Sequence, residues 1–250
     1  MTTMRPLSLF ASLVFTSLFA TPSFAGGPIT SGSTVAGILS GPTYLESWTF
    51  SGTNGDRIII AAVTTSGAVN TNIVLKAPGG AIVVNSSNDR TDYQLAATGT
   101  FTLEISDVGL NDAGNYALGF VNITAGPLTS GSDLDGGPIT SADVKTGTMS
   151  GPGDIDCFTF SGTNGQRVLM DAVATAGAGY NTTILLYPPA GGALATYTAG
   201  DRLDFQLNAT GTWNIVIEDN ANDTAGSYSM SFLNITAGPH ENGSDPDGEA

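Results

Sequence analysis

The stretch Asn122 to Ser141, NITAGPLTSGSDLDGGPITS, limits the possible folds more than any other, because each of its halves occurs twice. NITAGP returns at Asn234 to Pro239, and GGPITS also stands at Gly26 to Ser31. The stretch is therefore the junction of a tandem duplication. Residues 26–121 align with 136–233 at an offset of 110 early and 112 late. SGTNG at Ser51–Gly55 repeats at Ser161–Gly165, ATGT at Ala97–Thr100 repeats at Ala209–Thr212, and Asp107 to Tyr116 parallels Asp219 to Tyr228. The two-residue shift is expected in loops around Gly79-Gly80 and Gly191-Gly192, where insertions leave a scaffold intact.

Within each copy, apolar and polar residues alternate over short runs broken by Gly, Asn, Asp and Pro, which is the pattern of β-strands. In Thr100 to Asp107 the inward set is Phe101, Leu103 and Ile105, with Thr102, Glu104 and Ser106 facing water. The second copy repeats it with Trp213, Ile215 and Ile217. Trp48 and Phe50 match Phe158 and Phe160, while Tyr116, Leu118 and Phe120 match Tyr228, Met230 and Phe232. These positions form two cores. Ile58 to Val63 is continuously apolar, and its β-branched content favours a buried strand over a helix. Asn54-Gly55 and Asn164-Gly165 carry the signal of a tight hairpin turn. About eight strand-like runs per copy predict an all-β chain of two tandem, jelly-roll-like sandwiches, with no helix longer than a turn after residue 25.

The expected division is a signal peptide at 1–25, a first sandwich at 26–122, a Gly/Ser/Asp linker at 123–137, a second sandwich at 138–234 and an acidic tail at 235–250. The signal rests on Arg5, the apolar run Leu7 to Ala20, Pro22 and a small-x-small cleavage site after Ala25. No window after it is apolar for the ~20 residues of a membrane span. The mature chain is thus expected to be secreted, extracellular or at the cell surface. A formal net charge of −15 disfavours nucleic acid and anionic lipid as partners. Cys157 is the only cysteine, so no intramolecular disulfide is available, and its strand context suggests a small packed residue.

The run Asp154 to Phe160, DIDCFTF, then SGTNGQRV, ATGTW and the D-x-x-G-x-Y ending of Asp219 to Tyr228 resemble the bacterial pre-peptidase C-terminal (PPC) domain. Two copies would cover nearly the whole mature chain. The resemblance implies β-sandwiches with binding, targeting or accessory roles beside extracellular enzymes. The first copy departs from the pattern: YLESWTF, Tyr44 to Phe50, keeps only Glu46 among the acids. Collagen-binding modules of this wider group bind calcium near the N-terminal linker, and Asp133 and Asp135 lie in that neighbourhood.

No catalytic constellation stands out. His240 is the only histidine and lies in the polar tail, so neither a zinc set nor a Ser-His-Asp triad is expected. Calcium is the metal to expect, since it takes loop carboxylates without a strict motif. The candidate ligands are Asp133, Asp135, Asp107, Asp112, Asp154, Asp156, Asp219 and Asp223, with Asn111 and Asn222 beside them. Turn chemistry is the competing reading, because Asp, Asn and Gly also serve tight turns. Tyr44, Tyr93, Tyr180, Tyr187 and Tyr197 fall outside the inward registers and suggest a surface for a polysaccharide or an extracellular protein. The leading expectation is a secreted, non-enzymatic binding or accessory protein. The alternative is a structural subunit that assembles head to tail, because GSDPDG at 243–248 matches GSDLDG at Gly131–Gly136.

Overall fold

The computed structural model describes residues 26–41 and 43–241, so the expected signal segment and most of the acidic tail lie outside the described residues. All regular structure among them is strand. The first copy holds β1 (Gly26–Pro28), β2 (Ser33–Leu39), β3 (Leu45–Gly52), β4 (Arg57–Gly67), β5 (Thr71–Lys76), β6 (Ile82–Ser86), β7 (Arg90–Gln94), β8 (Gly99–Asp107) and β9 (Gly114–Asn122). The second holds β10 (Gly136–Pro138), β11 (Asp143–Met149), β12 (Asp156–Gly162), β13 (Arg167–Ala176), β14 (Thr182–Tyr187), β15 (Thr196–Thr198), β16 (Arg202–Gln206), β17 (Gly211–Asp219) and β18 (Gly226–Asn234). Each copy is a sandwich of a five-stranded and a four-stranded sheet, ordered β1-β3-β8-β5-β6 and β2-β9-β4-β7 in the first, β10-β12-β17-β14-β15 and β11-β18-β13-β16 in the second.

Alternation places the cores as expected. Phe50, Phe101, Leu103, Ile105, Leu118 and Phe120 are buried in one, and Phe158, Phe160, Trp213, Ile215, Ile217, Met230 and Phe232 in the other. Trp48 is only half-buried, and its indole N–H donates to the Tyr116 hydroxyl at 2.8 Å. Ser106, expected to face water, is buried at a strand end flanked by Leu45 and Asn72.

Two local expectations are corrected. Asn54-Gly55 does not close a hairpin, because β3 and β4 belong to different sheets. Its turn carries the chain across the sandwich with Gly55 at φ 95°, held by Gly55 N–H to Leu95 O at 2.8 Å. The shift between copies also enters in two steps. Thr71 corresponds to Thr182, an offset already of 111, so one extra residue lies in the Gly177–Tyr180 loop before β14.

Ile58 to Val63 is continuously apolar because β4 is covered on both sides. Ile58, Ile60 and Ala62 enter the first core, while Ile59 and Ala61 face outward, with Val121 and Ile123, onto Ile155, Cys157, Leu185, Tyr187 and Val216 of the second sandwich. A parallel-sheet-like apolar run thus arises here from domain docking. The approach is close: a Cβ on Gly119 would lie 1.9 Å from the Gly153 carbonyl oxygen. Polar bonds ring this seam. Arg90 Nε meets Glu218 Oε2 at 2.8 Å, its Nη2 donates to the Tyr187 hydroxyl at 2.9 Å, and Arg57 Nε donates to Gly191 O at 2.8 Å. Cys157 is fully buried in the seam, and burial pushes its thiol pKa well above the ordinary value.

Candidate functional site

The acids that open β12 gather with one acid of the linker. Asp133, Asp154 and Asp156 each offer a carboxylate oxygen, and these oxygens lie within 4.8 Å of one another. Asp154 ends the turn after β11 and is buried. Its Oδ2 accepts Ser150 N–H at 2.6 Å, and its Oδ1 accepts Ile155 N–H and, from the first sandwich, Thr34 Oγ1–H, both at 3.0 Å. Asp156 is fully buried; its Oδ2 accepts the Tyr228 hydroxyl at 2.7 Å, and its Oδ1 has no hydrogen-bond partner.

The linker reaches this place through its own turn. Ser130 N–H bonds Asp133 O at 2.7 Å, and Asp133 Oδ1 accepts Asp135 N–H at 3.0 Å. Asp135 then turns away from the group and accepts Thr148 N–H at 2.8 Å on the edge of β11. Crowding raises proton affinity. Burial first, then the charges of Asp154, Asp133 and Asp135, push Asp156 up to about 9, with the Tyr228 bond opposing. Asp133 is pushed up to about 6, by burial and then by Asp154 and Asp135, against the Asp135 N–H.

A buried carboxylate oxygen without a donor costs roughly 1–3 kcal/mol, more if ionised. A hard divalent cation relieves both the missing partner and the repulsion, and oxygen ligands from loops suit calcium. The donor set therefore fits a metal. Asp133, Asp154 and Asp156 would hold it, with Tyr228 and Thr34 orienting the carboxylates from outside.

The other candidate acids are spent on turns. Asp107 accepts backbone N–H groups from Asn70, Gly109, Asn111 and Asp112 at 3.0–3.3 Å, and these bonds, Asn70 first, hold its pKa below the usual carboxylate range despite burial. Asp219 likewise accepts Asn181, Asp223 and Thr224 N–H at 3.1–3.2 Å. Asp112 and Asp223 stand beside these turns, and among the described residues neither joins a group of three acids. The expected tyrosine surface is not formed either: Tyr180 and Tyr187 are buried, Tyr44 and Tyr93 half-buried, and Tyr197 alone is exposed. Nothing in the sequence marks Thr34 as a partner of these acids, and Tyr228, a core position by alternation and in the structure, also lends its hydroxyl to Asp156.

No family model matches the chain, and no curated protein matches it. Among solved structures it is similar to the pre-peptidase C-terminal domain of a Bacillus anthracis collagenase, at 18% identity and TM-score 0.32, covering 38% of this chain and 93% of that one. It is also similar to Aeromonas hydrophila PliG, a periplasmic inhibitor of g-type lysozyme, at 15% identity and TM-score 0.31, covering 40% and 98%. The tandem CBM22 domain of Paenibacillus barcinonensis Xyn10C aligns over 74% of this chain and 82% of its own, at 12% identity and TM-score 0.22. At these scores nothing about the role of the chain follows from them.

Proposed function

We propose that the chain is a secreted, non-catalytic binding or accessory protein of two PPC-like sandwiches, whose linker is pinned to the second sandwich by one calcium ion. The observation that carries this reading is Asp156, fully buried with Oδ1 unpartnered beside two further carboxylates. Asp133 brings the linker to the ion, Asp154 and Asp156 bring β12, and Thr34 ties the group to the first sandwich. The ion's contribution is mechanical: it neutralises repulsion and fixes a Gly/Ser connection that is otherwise flexible by composition. His240 supports a non-catalytic role, since it is exposed and, among the described residues, its ring bonds only Ile235 O, at 3.1 Å.

Thermal melts of the full chain with calcium and with chelator test the reading. Calcium at 100 times its Kd should add about 2.7 kcal/mol of stability. Equal melting temperatures in the two conditions would sink it.

A further inference from the structure

Each sandwich carries the same cleft, of about 500 Å³ in the first copy and 440 Å³ in the second. It lies where the short parallel strand leaves the sheet edge. β1 pairs with β3 only from Ser47 to Thr49, followed by Ile29 N–H to Thr49 O at 2.9 Å, whereas β3 runs on to Gly52. β10 and β12 repeat this, with Ile139 N–H to Thr159 O at 2.9 Å. Past that point no strand among the described residues pairs with the outer side of β3 or β12. Because strand groups alternate in direction, the N–H and C=O of Ser51 face the same way as those of Thr49, into the cleft. The first cleft continues along Ser51, Gly52 and Thr53 towards Thr98.

Every residue lining one cleft is identical to its counterpart in the other. Part of that identity is structural: Ser31 Oγ donates to Pro127 O and accepts Asn122 N–H, and Ser141 does the same with Pro239 and Asn234. Ser51 and Thr100 are different. They are exposed, their hydroxyls bond no other group among the described residues, and yet they return as Ser161 and Thr212. Outward positions on β2 show no such restraint, for Thr34, Ala36 and Ile38 become Val144, Thr146 and Thr148. The lining of the twin clefts themselves holds no charged residue in a chain of net charge −15; the continuation of the first adds Asp56, which is buried and whose Oδ2 accepts Thr53 N–H and the Asn122 side-chain amide. Its aromatic floor, Phe50 and Phe120, is 5% and 3% exposed, so no ring face is offered for a sugar to stack on.

We infer that the two clefts are twin edge-pairing sites for an uncharged, extended polypeptide segment, which adds as a short strand to β3 and to β12. This deepens the reading of the chain as a binding module and is independent of the cation. Main-chain bonds to Ser51 and Ser161 supply the affinity, and the apolar floor with its hydroxyl rim selects small neutral side chains. Open sheet edges are normally blunted with charge or covered, and among the described residues these two stretches are neither.

The test is selection of uncharged ten-residue peptides from a display library against the full chain, with an array of neutral oligosaccharides in parallel. Selected peptides should bind at two per chain and slow amide exchange at Ser51 and Ser161. Ser51→Pro and Ser161→Pro remove the donor on the open side of an edge strand, where proline is tolerated. Each single change should leave one peptide bound, and the pair should weaken binding at least 100-fold. Thr100→Lys with Thr212→Lys, which leaves β3 and β12 untouched, should weaken it as much. Selection of no peptide in preference to the double proline variant overturns the proposal, as does binding of a saccharide in these clefts in place of peptide. Either result leaves the calcium melts unaffected.

Discussion

The two copies solve the same local problem with different chemistry. In the first, Glu46 stands where Asp156 stands in the second, and it is complete in itself: Oε1 accepts Ile38 N–H at 3.2 Å and Oε2 accepts the Tyr116 hydroxyl at 2.6 Å. In the second, the strand N–H equivalent to Ile38 is Thr148, and the linker's Asp135 takes it. The shorter Asp156 keeps only its tyrosine, leaving an oxygen over. Tyr44 replaces Asp154, so the first copy lacks the second acid as well. One methylene, the exchange of Tyr44 for Asp154 and the approach of the linker's Asp133 thus separate a closed polar contact from the proposed cation site.

The largest expected effect concerns pH. Without a divalent cation, Asp156 holds its proton up to about 9 and Asp133 up to about 6 in the folded chain, whereas unfolded carboxyls release theirs near ~4. The folded state then binds more protons than the unfolded one from pH ~4 upward, so stability falls as pH rises through that window. The slope is at most about 1.4 kcal/mol per pH unit for each group. Calcium should flatten it, and melts between pH 4 and 9 with and without chelator read this directly. A flat profile under chelator would remove the distinction between the copies.

Asp156→Asn comes next. It should weaken calcium at least 100-fold, about 2.7 kcal/mol, while leaving the calcium-free protein at pH 8 as stable as the parent or more so, because the amide is neutral without the proton that Asp156 has to take up on folding at that pH. Glu46→Gln should leave calcium affinity unchanged in a titration. Loss of affinity in both variants would mean that the copies share the site.

The comparison extends to the outer faces. The seam packs Ala61 in one cluster with Cys157, Tyr187 and Val216 and sets Gly119 against Gly153, but the positions equivalent to Ala61 and Gly119 are Asp171 and Ser231 in the second copy, and those equivalent to Cys157, Tyr187 and Val216 are Ser47, Lys76 and Glu104 in the first. Arg202 is the counterpart of Arg90, which touches Tyr187, so a seam repeated between molecules would set Arg202 against Lys76. Ser231 would enter the space that Gly119 leaves for a carbonyl. The outer faces therefore do not repeat the apolar packing of the seam. Gly119→Ser should accordingly destabilise docking by about 1–3 kcal/mol, seen as separate melting of the two sandwiches in calorimetry. A single unchanged transition would break this part of the comparison. The smallest effect is Thr34→Ala, which should cost about 1 kcal/mol and lower calcium affinity only a few-fold.

Strand alternation and the duplication made both cores legible, because each residue's face depends on period alone. The seam was hidden in plain view: Ile58 to Val63 reads as a buried strand, but nothing in the run says that a second sandwich covers Ile59 and Ala61. The hairpin expected at Asn54-Gly55 failed because the same turn residues serve a chain that crosses between sheets. For the site, Asp133, Asp154 and Asp156 were all among the candidate acids, yet Asp107 and Asp219 looked equivalent to them. Only three-dimensional packing separates a carboxylate saturated by backbone N–H groups from one left with a free oxygen.

The asymmetry between the copies is tested most directly by calorimetric titration of calcium into the full chain at pH 7.5. One ion per chain, lost in Asp156→Asn and kept in Glu46→Gln, is the expected result. Two equivalent ions, or no binding at millimolar calcium, would contradict it.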